Sequence, residues 1–243
     1  MDAEPRFHTT LRQIDGAVVV VKMARGSDVG PLRHEARTLT ALSHVGIVRI
    51  VASGGDGQRF GLATAHAGIQ TLATIPPLPP AIAAHIAGQV LDAVGHVHAR
   101  GVVHRRIEPT HVVVGPHDRV ALCGFRSTGP ISTDAMLRDI ADAASLGIAL
   151  LDSAAHNVPR RARRTTLRLL DTCTALLADH RPGATTMARR LDDAVTQFVL
   201  ASGGSTQTQR HLVGQQPSGN SQHQAISARD HQSIEYPGHV LEP

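Results

Sequence analysis

The chain has 243 residues, 42% hydrophobic and 18% charged, with a net charge of +4, which suits one full domain or two small ones and excludes global disorder. Aromatic residues make up 2%, with no Trp, so the core is built from Ala, Val, Leu and Ile, and the aromatic platforms for stacking single-stranded nucleic acid are missing. Two cysteines, Cys123 and Cys173, exclude a disulfide framework and a CxxC zinc site, the opening MDAEPRF lacks the apolar stretch of a secretory signal, and no run of 18 apolar residues occurs.

GAVVVVKMA (16–24) is a β-branched run behind a Gly and predicts a buried strand. It carries Lys22, the only Lys of the chain; every other basic residue is Arg. That bias is read as compositional rather than as a nucleic-acid surface, because no nucleic-acid motif accompanies it. PLRHEARTLTAL (31–42) opens on Pro and puts Leu32, Ala36, Leu39 and Leu42 on one helical face. Residues 46–65 read as two strands around a Gly-Gly-Asp-Gly turn, and IPPLPP (75–80) as a connector. Ile82, Ile86, Val90, Val94 and Val97 recur at helical spacing, with Gly101 as the stop. HVVVGPHDRVALCGF (111–125) predicts a hairpin, and three helices follow, roughly over 134–153, 162–178 and 184–199.

The expected fold class is therefore α+β: a small, mostly β part followed by a larger, mostly helical one, in a single domain over 1–200. Residues 201–243 are rich in Ser, Gly, Gln and His without apolar periodicity, and are read as a disordered tail dispensable for folding. The basic cluster RRARR (160–164) is read as a solvated loop, with a docking patch for an acidic partner as the sharper alternative. His96, His98, His104 and His111 are close in sequence but are not read as a metal site.

Several of these segments, in this order, resemble a protein kinase domain of the bacterial Ser/Thr type over roughly 6–198. VVVK (19–22) resembles the strand that carries the phosphate-binding Lys, here Lys22, and Glu35 falls where the family's Lys-pairing Glu lies. HARGVVHRRIEPTHVVV (98–114) resembles the catalytic loop, and VALCGFRS (120–127) the metal-binding strand and turn. DAASLGIALLD (142–152) resembles the central helix of the large lobe, with Asp142 as its structural Asp, and Arg181 matches a late structural Arg. The resemblance implies a two-lobed fold with a truncated small lobe. It also implies an internal spine through His104, Phe125, Leu39 and a residue near Val51, and an ATP site lined by Lys22, Glu35, Val20 and Val113.

The chain departs from the family where the chemistry is done. The family's His-Arg-Asp-x-Lys-Pro-x-x-Asn stands here as His104-Arg105-Arg106-Ile107-Glu108-Pro109-Thr110-His111. Arg106 replaces the catalytic Asp, His111 the metal-binding Asn, and Gly124 the metal-binding Asp of the Asp-Phe-Gly triplet. The Asp-x-Lys to Arg-x-Glu change keeps the option of an ion pair inside the loop. The Gly-rich phosphate loop has no room before residue 16, the Ala-Pro-Glu element is missing after Phe125, and the stretch 152–164 is short enough to imply one deleted helix. Phosphoryl transfer rests on positioning and on charge neutralisation by Mg²⁺, so the expectation is a pseudokinase. In that reading it is a cytoplasmic regulatory module that binds a protein partner and needs no cofactor. Two alternatives stand beside it. One is a residual kinase or nucleotide switch that uses Lys22 and Glu35 and holds ATP weakly without Mg²⁺. The other is a truncated product whose true start lies upstream.

Overall fold

The computed structural model describes residues 7–156, 163–179 and 183–201. Strand β1 (His8–Ile14) turns through Asp15 and Gly16 into β2 (Ala17–Arg25), with Ile14 paired to Ala17. Both turn residues have positive φ, 50° and 78°, the geometry that lets a two-residue hairpin follow the right-handed twist of its strands. Helix α1 (Val29–Ala41) comes next, then β3 (Ile50–Gly55) and β4 (Arg59–Ala65). The antiparallel order is β1-β2-β4-β3. α1 buries Leu32, Ala36 and Leu39, the stripe that its spacing predicts. The sequence pattern does not announce β1: it is an edge strand whose residues are all exposed or half-exposed, so it has no continuous apolar run.

A register shift between Ile50 and Ala52 places Val51 in an irregularity of β3. Val51 is 38% exposed, whereas Ile50 packs against the core. The spine residue expected near Val51 is thus not Val51 itself; the bulge turns that side chain to solvent and leaves Ile50 facing inward. Ile50→Ala should cost about 1–2 kcal/mol in urea unfolding, and Val51→Ala less than about 0.5 kcal/mol.

The second half is built around α2 (Pro80–Ala99), which buries Ile86, Val90, Val94 and Val97. Short strands β5 (Gln70–Thr71), β7 (Val112–Val114) and β8 (Val120–Leu122) form one sheet, and β6 (Val102–Val103) pairs with β9 (Gly129–Pro130). α3 (Thr133–Ala155), α4 (Arg163–Ala178) and α5 (Ala184–Ala201) pack on α2. The two halves are joined through the segment before β3: Leu122 N–H donates to Gly46 O at 2.8 Å, and Val48 N–H to Leu122 O at 3.0 Å. Among the described residues no helix is long and apolar enough to cross a membrane. Arg181 and the tail from 202 onward lie outside the described residues, as does most of the basic cluster at 160–164.

Candidate functional site

β2 and α1 bring Lys22 and Glu35 together. Lys22 Nζ donates to Glu35 Oε1 at 2.7 Å, with the Glu side chain 1% exposed and the Lys side chain 21%. A half-buried ion pair of this kind holds α1 against the sheet and leaves the ammonium edge open to a cleft. Glu35 Oε2 is buried without a partner among the described residues.

The helix is fastened a second time. Thr128 Oγ1 donates to Phe125 O at 2.9 Å, which leaves its lone pairs for α1. His34 Nε2 reaches Thr128 Oγ1 at 2.8 Å and Thr128 O at 3.0 Å, and Thr38 Oγ1 lies 3.1 Å from the same hydroxyl. The Thr128 hydroxyl therefore has its full set of partners. No sequence signal points to this clasp, because the two sides are 90 or more residues apart.

The loop after β6 is positioned by one buried carboxylate. Asp139 is 0% exposed. It accepts from His104 N and Arg105 N at 2.7 Å each, and from His98 Nε2 at 3.0 Å. It thereby holds Arg105 at φ +67°, a conformation that costs a non-Gly residue free energy. The carboxylate that holds this loop is Asp139; Asp142, which the motif spacing points to, makes no such contact among the described residues. Ser132 caps α3; along that helix Asp139 is buried against the loop and Asp142 is exposed.

His104 lies fully buried beside Phe125, ring centroids 4.7 Å apart at 73°. Its Nε2–H donates to Cys123 O at 3.0 Å, and its Nδ1 accepts from Arg106 N at 3.3 Å. Burial pushes its pKa down to about 4, so it is a neutral structural imidazole at pH 7. Leu39 and Phe125 are both in the core, 1% and 0% exposed. Burial also holds the Cys123 thiol up at about 11, despite the nearby Lys22, which keeps it protonated at pH 7.

The cleft between the halves encloses about 620 Å³ and brings together Lys22, Glu35, Arg106, Glu108, His111 and Gly124. Val20 and Val113 stand outside its walls, half-buried in their own sheets. Arg106 Nε hydrogen-bonds Glu108 Oε1, the intraloop ion pair that the charge inversion allows. Burial opposes the Glu108 charge, but the Arg106 hydrogen bond and the nearby His111 and Arg106 outweigh it and hold its carboxyl below the usual value. Further lining comes from residues the sequence does not single out, among them Phe7, Thr9, Thr71 and Thr74. Arg126 also reaches the cleft, its guanidinium 5.8 Å from the Phe7 ring centroid.

At the floor, His111 Nδ1–H donates to Arg106 O at 2.9 Å. Its ring lies against Gly124, which is in the left-handed region at φ +81°, ψ 39°. A Cβ on residue 124 would fall 2.6 Å from His111 Cδ2 and 2.9 Å from its Nε2. Mg²⁺ asks for near-octahedral oxygen ligands. The cleft's carboxylates among the described residues are Glu35 and Glu108, each engaged by a cation. These residues do not fit the metal.

No family model matches the chain. Stretches of it are similar to Ser/Thr protein kinases. The serine/threonine-protein kinase TIO of Arabidopsis thaliana is 26% identical over 140 residues, 54% of this chain and 11% of that protein. The serine/threonine-protein kinase pkn2 of Myxococcus xanthus is 30% identical over 90 residues, 36% of this chain and 11% of its own length. A putative cyclin-dependent kinase F-2 of Oryza sativa subsp. japonica is 45% identical over 49 residues, 20% of this chain and 15% of that protein. The chain thus matches about a tenth to a seventh of the length of these relatives.

Proposed function

We propose that this is a protein-kinase-like domain that no longer transfers phosphate and serves as a regulatory or protein-binding module. In this reading β1–β4 with α1 are the small lobe, and α2–α5 with the short sheets are the large one. The observation that carries it is the content of the cleft: an intact Lys22–Glu35 pair faces Arg106, His111 and Gly124, where the resemblance calls for a base and two metal ligands. Phosphoryl transfer draws its rate from in-line positioning and metal neutralisation, and among the described residues of the cleft neither a carboxylate base nor a metal-ligand pair stands at these positions. Radiolabelled ATP with generic Ser/Thr substrates should give no signal above a Lys22→Met control. Turnover that disappears in that control would overturn the reading.

A second reading, a nucleotide-responsive switch, is favoured by one observation: the Lys22 ammonium borders a cleft of about 620 Å³. Lys22 and Arg106 are both held by carboxylates, so a polyphosphate has to compete with Glu35 and Glu108. Binding of ATP is then weak, weakened further by salt, and the thermal shift it causes is the same with and without Mg²⁺. A shift that requires Mg²⁺ would contradict this second reading.

A further inference from the structure

We infer that His111 and Gly124 form a single steric unit that closes the cleft to divalent cations, so that position 124 cannot regain a metal-ligating side chain while His111 stands above it. This rests on the kinase-like reading for what the two positions would otherwise hold, but the contact itself is a property of this chain.

The ring of His111 is held by one hydrogen bond and its backbone by two. Its Nδ1–H is committed to Arg106 O at 2.9 Å, its backbone N–H to Glu108 O at 2.9 Å, and its carbonyl accepts from Cys123 N at 2.8 Å. With the backbone fixed, moving the imidazole aside breaks its bond to Arg106 O. Residue 124 lies directly beneath the ring. A Cβ there would meet three ring atoms, Cδ2 at 2.6 Å, Nε2 at 2.9 Å and Cγ at 3.0 Å, so one small rotation does not clear the clash. The φ of +81° at residue 124 adds a second cost to any side chain. Gly is thus required by the His, and the His fills the space that Gly leaves.

The surrounding charge points the same way. Lys22, Arg106 and Arg126 line the cleft, and each of the two carboxylates it has among the described residues is already paired with a cation. With its Nδ1 proton donated to a carbonyl, His111 offers at most one imidazole nitrogen, a poor ligand for Mg²⁺.

The contact is tested by a double-mutant cycle on the unfolding equilibrium of the full chain, which isolates the pairwise part. Gly124→Ala should lower the folding equilibrium constant at least about tenfold more in the native background than in a His111→Ala background, because only the native ring meets the new Cβ. Equal losses in the two backgrounds would overturn the steric unit. The cation is tested with Mn²⁺ alone, read by electron paramagnetic resonance. The native chain, Gly124→Asp and His111→Asn should each bind Mn²⁺ no better than a surface carboxylate. The double variant His111→Asn/Gly124→Asp should bind at least about tenfold more tightly, since it restores two oxygen ligands together. Tight Mn²⁺ binding by the native chain or by either single variant, or no gain in the double variant, would overturn the exclusion. Neither measurement depends on activity. A failure here is therefore distinct from a failure of the kinase-like reading, which the Lys22-dependent phosphotransfer assay decides.

Discussion

Replacing Asp139 with alanine is expected to destabilise the protein by about 3–5 kcal/mol, the range for removing one partner of a buried charged network. The carboxylate serves two backbone N–H groups and the His98 ring at once. Its loss strands donors that water reaches poorly, and each stranded donor costs about 1–3 kcal/mol. It also frees Arg105 from its positive φ, so the loop should lose its shape before the core does. Asp139→Asn should cost about half as much, because one amide oxygen still accepts while the amide NH₂ faces a donor. Asp142→Ala should stay within about 0.5 kcal/mol, as for exposed substitutions generally. Urea unfolding of the three variants decides the matter. A larger loss at 142 than at 139 would restore the spacing-based assignment.

Acid should destabilise the fold through His104. Unfolded, the imidazole takes up its proton at the ordinary value of 6.5; folded, burial holds it near 4. Between those values the unfolded state binds more protons, so stability is fully present above about pH 6.5 and is lost as pH falls towards 4. Each tenfold difference in proton affinity between the two states is worth about 1.4 kcal/mol. The loss from this residue is then about 2 kcal/mol on going from pH 7.5 to 5, and about 3 kcal/mol below pH 4. His96 and His111 are also shifted down, burial first among the causes, and act in the same direction. The His104→Phe variant keeps an aromatic ring against Phe125 and removes the titration. Its unfolding free energy should therefore change between pH 7.5 and 5 by about 2 kcal/mol less than that of the native chain. Equal pH slopes in the two proteins would exclude His104 as the sensor.

The helices are legible because their apolar residues recur at 3.6-residue spacing over several turns. Leu32, Ala36 and Leu39 on α1, and Ile86 through Val97 on α2, are buried where that spacing puts them. β1 is not legible, because HTTLRQI on a sheet edge buries little, and the two-residue strands β5, β6 and β9 are too short to carry any period. At the cleft, the order of motifs brings Lys22 and Glu35 to one point from 13 residues apart. Asp139 escapes because a periodic pattern marks apolar burial and carries no sign for a buried acid satisfied by distant backbone. The contact of His111 with Gly124 escapes for a related reason. Each position read alone is a separate departure from the resemblance, and only the fold shows that a side chain at 124 and the His111 ring compete for the same space.

The clasp of α1 on Thr128 sets a condition on any partner that the proposed binding role requires. To swing α1 outward would break the Lys22–Glu35 pair and the contacts of His34 and Thr38 with Thr128. At a net value of about 1 kcal/mol each, these three interactions alone hold the outward form to roughly 1% at most, and exposing Leu32, Ala36 and Leu39 lowers it further. A partner that reads the surface around α1 in its clasped position finds the competent state already dominant, and its affinity carries almost no conformational penalty. A partner that needs the helix displaced would see its apparent affinity cut at least about a hundredfold. The molecule is therefore biased towards presenting one fixed shape over switching between two.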